Sequence, residues 1–232
     1  METARLMLFI IPVFLFILGT SGIFNVFKMD EYIGKDISAM GTDPEGNRAE
    51  ESLVADTRTF LYEEVLQSSI NNDYWLFGRT PARGIDSNTF GLWEFEWTGR
   101  YERASNEIGL ANVFTWTGLI GVILYTLVFF RSSYLAINRS NNIFIKLVGL
   151  YLAFRWAYSW IEDYQTFSLN YILLIIMWGM CLSQSFREMS DNDFTFWARG
   201  IFDKRYIKLQ DLKIKKTLYE KSQSSSVTDL PQ

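Results

Sequence analysis

Four long apolar runs, separated by charged segments, constrain this chain more than any other feature. They cover residues 6–27, 109–130, 143–161 and 167–182. The first run contains no charged residue. About 20 apolar residues in an α-helix rise about 30 Å, which is the thickness of the hydrocarbon core of a bilayer. The pattern predicts an all-α membrane protein with four transmembrane helices and a large outer loop that contains short helices.

The first run admits a second interpretation as a secretory signal. Arg5 precedes it, and the small residues of "LGTSG" lie near its end. A signal has a shorter apolar core, however, and Phe24 and Phe27 extend this one. We therefore expect a membrane span, with a kink at Pro12.

The distribution of basic residues predicts how the spans are oriented. Arg131, Arg139 and Lys146 surround the link between the second and third runs, whereas the next link contains Glu162 and Asp163. Residues 199–221 contain eight Lys/Arg and three Asp/Glu. Short basic links remain on the cytoplasmic side. Both termini are therefore expected to be cytoplasmic.

This orientation divides the chain into four parts, and in a bacterium the outer side would be the periplasm. Residues 1–27 form the first transmembrane helix, and residues 28–108 form a periplasmic loop. Residues 109–184 contain transmembrane helices two to four. Residues 185–232 form a basic cytoplasmic tail, which could also lie on anionic lipid and whose end we expect to be disordered.

Composition limits the chemistry that is possible. The chain has no histidine and one cysteine, Cys181. Histidine is the commonest general base and the commonest metal ligand in proteins. Any reaction must therefore use carboxylates, arginines, hydroxyls or lysines. We expect no metal, no cofactor and no nucleic-acid partner.

The loop of residues 28–108 has two parts. Residues 28–52 are acidic, polar and without clear periodicity, which indicates a surface segment. Residues 53–70 have helical periodicity, with Asp56 as the expected N-cap. The apolar stripe of this helix consists of Phe60, Leu61, Val65 and Leu66.

Arginine is the favoured basic residue of this loop. Glycines and arginines alternate in "FGRTPARG", where backbone N–H groups and guanidinium forks suit a phosphate. Residues 28–108 also contain sixteen acidic residues, with which the arginines could simply pair. Both interpretations stay open for the arginines concerned, which are Arg58, Arg79, Arg83, Arg100 and Arg103.

Arg155 lies inside the third run, about 9 Å from its outer end at about 1.5 Å per residue. A charged residue at that depth is costly and favours a functional role. The alternative is that its side chain extends outward to pair with Glu162 or Asp163.

Residues 56–125 resemble the C-terminal part of the O-antigen ligase and O-antigen polymerase superfamily. The resemblance rests on "DTRTFLYEEVL", "WLFGRTPARG", "SNEIGL" and "TGLIG". It implies that glycan is transferred from undecaprenyl pyrophosphate at the periplasmic face, for O-antigen, capsule or exopolysaccharide. The chain would then contact membrane lipid and the lipid-linked glycan.

The resemblance also implies roles for individual residues. Arg58, Arg103 and Glu107 are the expected catalytic residues. The expected substrate-binding residues are Arg79, Arg83, Arg100, Asn106 and Arg155. We expect Arg58, Arg83, Arg103 and Arg155 to converge on one cavity.

Two departures from the family pattern limit the prediction. Ser105 occupies the position of the family's histidine, so the general base would be Glu107 or Glu102, with its pKa raised by burial. The chain also has fewer spans than family members, which suggests that an N-terminal half or partner subunit is missing. The alternatives are a non-catalytic membrane subunit or a decayed paralogue. A transporter is disfavoured because the second and fourth runs show little sign of broken helices.

Overall fold

The computed structural model describes residues 1–28, 38–42, 48–52, 58–87, 91–163, 168–203 and 205–206. Within this part of the chain, eight helices and four short strands form. The helices are α1 (Glu2–Thr20), α2 (Thr59–Asn71), α3 (Gly91–Thr98), α4 (Gly109–Asn138), α5 (Ile143–Tyr158), α6 (Leu169–Leu182), α7 (Gln184–Glu188) and α8 (Asp191–Phe202). The strands are β1 (Ser38–Thr42), β2 (Arg48–Ser52), β3 (Ile85–Asp86) and β4 (Glu102–Arg103).

The strands form two antiparallel pairs. Ser38 pairs with Ser52 at one end of β1–β2, and Thr42 pairs with Arg48 at the other. In the second pair, Ile85 lies opposite Arg103. The sequence analysis did not predict either pair. The expected N-cap, Asp56, and the end of the tail lie outside the described residues, and Arg58 occupies the N-cap position of α2.

Helices α1, α4, α5 and α6 pack side by side around one apolar core. Phe9 of α1 stacks on Trp156 of α5 with ring centroids 4.7 Å apart, and Phe129 of α4 is fully buried. Leu174 and Cys181 bring α6 into the same core. These four helices correspond to the four apolar runs, which is the arrangement that their spacing predicts.

The described helices include two that are long and apolar enough to cross a membrane, namely α1 and α4. Helix α6 is apolar but has only 14 residues. Met7, Ile10, Phe14 and Ile17 are each more than half exposed on α1. They follow the three-to-four-residue spacing of one helix face, so this face needs an apolar covering. The prediction of four spans is not confirmed.

Opposite ends of the bundle contain different parts of the chain. At one end, here called the loop end, the Tyr62 hydroxyl of α2 donates a hydrogen bond to the Trp160 carbonyl. At the other end, here called the tail end, the Asn142 amide donates to the carbonyls of Phe186 and Met189. Residues 58–87 and 91–108 are therefore separated from helices α7 and α8 by the length of the bundle.

Two contacts of small or charged residues set the helix packing at the tail end. Gly149 of α5 faces Ala136 of α4, and a Cβ at position 149 would lie 2.5 Å from that of Ala136. Arg5 is buried, forms an ion pair of 2.6 Å with Glu2, and lies 4.6 Å from the Phe130 ring centroid. The first contact lets the backbones approach closely, and the second joins the start of α1 to the end of α4.

Helix α4 is broken at Gly118, which has φ 65° and ψ −166°. This is a correction, because the second apolar run was expected to form an unbroken span. The residues around the break form backbone hydrogen bonds with residues 75–80, here called the insert. The Leu119 and Ile120 N–H groups donate to the carbonyls of Trp75 and Leu76, at 2.9 and 3.3 Å.

The insert both accepts hydrogen bonds from α4 and donates hydrogen bonds to it. Its Arg79 and Thr80 N–H groups donate to the carbonyls of Thr115 and Trp116, at 2.7 and 3.0 Å. In an unbroken helix these two carbonyls would accept from residues 119 and 120. The insert therefore replaces two helical hydrogen bonds with four, and neither side of the break has an unpaired backbone group at these positions.

Two glycines make the insertion possible. Gly78 has φ 76°, and a Cβ there would lie 2.4 Å from the Thr117 nitrogen. At Gly118 an added Cβ would lie 2.3 Å from the Leu76 carbonyl. The two backbones can therefore approach only where neither residue has a side chain.

We predict that Gly78→Ala and Gly118→Ala each destabilise the fold by about 2–4 kcal/mol, because the methyl group meets backbone and the residue is held at positive φ. Thermal unfolding of the purified protein in detergent measures the effect. Gly179→Ala is the matched control, since nothing lies within 4 Å of its added Cβ and alanine favours a helix. Wild-type stability in both variants would contradict the structural role of the insert.

Candidate functional site

The candidate site lies at the loop end, where α2, the β3–β4 pair and the start of α4 meet. Leu61, Val65, Ile85, Ile108 and Ala111 form a small apolar core beneath it. The predicted stripe of α2 is thus partly confirmed, with Leu61 and Val65 buried and Leu66 42% exposed. This core holds the charged residues above it in fixed positions.

Asn106 and Asn112 fix the segment that leads into α4. The Asn112 side chain accepts from the Asn106 N–H and donates to the Asn106 carbonyl, both at 2.8 Å. The Asn106 side-chain oxygen accepts from the Ile108 N–H at 2.8 Å. Both residues are buried. Asn106, which was expected to bind substrate, thus has a side-chain oxygen that orders the backbone.

Two arginines share one carboxylate. Arg58 forms an ion pair of 2.5 Å with Glu107, and Arg103 lies 3.8 Å from the other oxygen of the same carboxylate. Glu162 lies 3.7 Å from Arg58. These four residues are here called the Arg58 cluster. The Arg58 and Arg103 side chains are mostly buried, whereas Glu107 is half exposed.

A second group of charges is organised around Glu102. Arg83 forms a forked pair with it, and its Nε donates to Oε2 at 2.8 Å. Arg79 lies 3.7 Å from Glu102, and its guanidinium also contacts Asp86 at 3.0 Å. These four residues are here called the Glu102 cluster. The structure therefore brings Arg58 and Arg103 together but places Arg83 in a different ion-pair group.

The remaining predicted residues lie elsewhere. Arg155 is in the last turn of α5, and its guanidinium carbon lies 5.7 Å from the Tyr158 ring centroid. Arg100 is exposed, and its described hydrogen bonds join its backbone to Thr98. The side chain of Arg100 belongs to neither cluster.

The pKa of Glu102 is shifted in the opposite direction to the shift expected for a general base. Its hydrogen bonds with Arg83 and the charge of Arg79 hold the pKa of this carboxyl below its ordinary value. Burial acts in the other direction but is the weaker effect. The prediction of a raised pKa at Glu102 was wrong, because the arginines that accompany it in sequence also accompany it in space.

An apolar groove of about 520 Å³ opens beside the Arg58 cluster, and the sequence analysis did not predict it. It lies between α1, α2 and the end of α5. Its lining includes Leu15, Phe16, Phe27, Tyr62, Ala157 and Trp160. No motif indicated the groove, since it is formed by residues from three distant segments.

The groove and the Arg58 cluster are directly connected. Thr59 and Ile161 line the groove. Arg58 precedes Thr59, and its Nε donates a hydrogen bond of 3.2 Å to the Ile161 carbonyl. A cationic group therefore lies at the edge of the apolar groove. A molecule with an apolar tail and a phosphate head would match both parts.

Among the described residues, no group of three or more Cys, Asp, Glu or His side chains is arranged to hold a metal ion. No protein-family model, curated protein or solved structure matches the chain. The resemblance to the O-antigen superfamily therefore stays a prediction, and functional argument rests on the geometry.

We predict that Glu102→Gln lowers the melting temperature at pH 6 to 7 but has little effect near pH 3. The folded state holds the pKa of Glu102 below the ordinary value of 4.5, so its stabilisation is present above that pH and is lost as the pH falls through the folded pKa. Melting curves of wild type and variant across this range provide the test. Glu96→Gln on exposed α3 is the control. If Glu102→Gln lowered the melting temperature by the same amount at every pH, the ionic role of Glu102 would be contradicted.

Proposed function

We propose that this chain is a multi-pass membrane protein that binds a polyprenyl-pyrophosphate-linked glycan at its loop end and transfers the glycan to an acceptor. This is the chemistry of the O-antigen polymerase and ligase superfamily. The observation that carries the proposal is the apolar groove with Arg58 at its edge. The groove suits part of a polyprenyl chain, and the arginines suit its pyrophosphate.

The residues of the Arg58 cluster have distinct proposed roles. Arg58 and Arg103 hold the pyrophosphate and stabilise the charge that it gains as the glycosidic bond breaks. Glu107 lies between them and is half exposed, so it is the carboxylate that an acceptor hydroxyl can reach. It takes the proton of that hydroxyl as general base. Glu102 is less suited to this role because its pKa is lowered.

The proposed topology has four spans, formed by α1, α4, α5 and α6, in the inner membrane of a bacterium. The loop end faces the periplasm and both termini are cytoplasmic. The basic residues near the tail end, including exposed Arg131 and Arg139, support this orientation. The separation of residues 58–87 and 91–108 from α7 and α8 by the bundle is consistent with it.

A non-catalytic membrane subunit is the second candidate. The observation in its favour is that Arg58, Arg79, Arg83 and Arg103 each pair with a local carboxylate. The Arg58 cluster contains two positive and two negative side chains, so a pyrophosphate must compete with Glu107 and Glu162. A transporter is less well supported, because the four backbone groups at the break in α4 bond to the insert and offer no ion site.

We predict that the purified protein binds undecaprenyl pyrophosphate more tightly than undecaprenol, and that Arg58→Ala removes most of this difference. A charge-assisted hydrogen bond contributes about 1.5–3 kcal/mol, so affinity for the pyrophosphate should fall about 10- to 100-fold. Arg58→Lys should not restore it, because lysine lacks the planar fork. Native mass spectrometry in detergent gives the affinities.

Arg100→Ala is the matched control for this experiment, since Arg100 is exposed and lies outside both clusters. Ala157→Phe tests the groove separately and should lower the affinity for both lipids equally. Equal affinity for the charged and uncharged lipid, unchanged in Arg58→Ala, would favour the non-catalytic subunit.

We predict that a cysteine at Ala82 reacts with a membrane-impermeant thiol reagent added outside intact inner-membrane spheroplasts, whereas one at Ser185 reacts only after lysis. Both positions are exposed, and they lie at opposite ends of the bundle. A Cys181→Ala background removes the native thiol, which is buried. Reaction from the same side at both positions would exclude the topology.

A further inference from the structure

The tip of the insert is apolar, exposed and continuous with an exposed face of α4. Phe77 is 74% exposed and Trp75 is 49% exposed. Leu119 and Ile120, to which the insert bonds, are 42% and 39% exposed. One and two turns of α4 further on, Leu124 and Leu127 are also more than half exposed. One apolar surface therefore runs from the candidate span onto the insert.

We infer that the tip of the insert, residues 75–78, is embedded in the lipid leaflet at the loop end. The depth of the insert in the bilayer does not depend on the transferase function. The occupant of this surface is lipid rather than another protein, because the surface continues the exposed face of a candidate membrane span.

Backbone hydrogen bonds where the insert meets α4 add to the support given by the exposed apolar surface. A non-helical segment tolerates a hydrocarbon environment only if protein groups satisfy its backbone. Here Trp75 and Leu76 use their carbonyls for the N–H groups of α4, and the Gly78 N–H donates to the Tyr74 carbonyl at 2.7 Å. The same bonds satisfy the break at Gly118.

The distribution of charge gives independent support. Residues 74–78, "YWLFG", contain no charged side chain, and charges begin on either side with Asp73 and Arg79. The Arg79 guanidinium contacts the Gly84 carbonyl at 2.9 Å, Asp86, and the ring of Tyr74, whose centroid is 5.0 Å away, at the base of the tip. Tryptophan at the edge and phenylalanine at the tip match the depth preferences of aromatic residues at a membrane interface.

Nitroxide labels in vesicles test this inference. Single cysteines replace Phe77, Ala82 and Leu124 in the Cys181→Ala background, and each labelled protein is reconstituted in phosphatidylcholine and phosphatidylglycerol. Oxygen concentrates in lipid and a nickel chelate in water, so their relaxation of the label reports its environment. We expect oxygen to dominate at Phe77 and Leu124 and the nickel chelate to dominate at Ala82, with the oxygen-to-nickel ratio at least about tenfold higher at Phe77 than at Ala82.

Each other result overturns the inference in a distinct way. A lipid signal at Leu124 with an aqueous signal at Phe77 would place the insert in water while leaving the span intact. Aqueous signals at both would exclude insertion of α4 itself. A label at Phe77 that neither reagent reaches would show that a protein partner covers the tip. None of these outcomes affects the comparison of undecaprenyl pyrophosphate with undecaprenol binding, so the two proposals can fail separately.

Discussion

The four backbone hydrogen bonds between the insert and α4 are the interaction on which the rest of the loop end depends. They bridge the break in α4, and the first part of this helix, Gly109–Thr117, begins beside the end of α5. The Leu110 N–H can then donate to the Ser159 carbonyl at 2.8 Å, and the Gly109 N–H to the Glu162 carbonyl. Glu162, whose carbonyl this helix start binds, lies 3.7 Å from Arg58, so the first part of α4 and the Arg58 cluster share one anchor.

The same arrangement explains why the apolar groove and the arginines are neighbours. Helix α2 covers the groove through Tyr62, whose hydroxyl donates to the Trp160 carbonyl. Burial of that hydroxyl raises its pKa above the ordinary value, so it stays a neutral donor even in alkaline solution. Arg58, at the start of the same helix, donates to the next carbonyl, that of Ile161. The end of α5 thus orients the apolar and the cationic parts of the site together.

The sequence predicted the helices better than it predicted their irregularities. Apolar runs identify α1, α4, α5 and α6 because burial and helical hydrogen bonding depend on local composition. The break at Gly118 was missed because a single glycine within an apolar run is tolerated in a helix, and only the approach of Leu76 shows that this position must lack a side chain. Arg58 and Arg103 were predicted to share a site and do share Glu107. Arg83 was assigned to the same site, but the pairing of β3 with β4 places it beside Glu102. Such long-range pairings are invisible in a single sequence.

The order of synthesis gives the insert a further significance. Residues 75–80 precede Gly118 in the chain, so they leave the ribosome before α4 is complete. The hydrogen-bond partners that the broken helix needs therefore already exist when its two halves emerge. A helix whose missing partners came from a later segment would keep open backbone groups until that segment was made, at a cost of several kcal/mol each wherever water is excluded. By placing the insert upstream, the chain lets each half of α4 be satisfied as it is made.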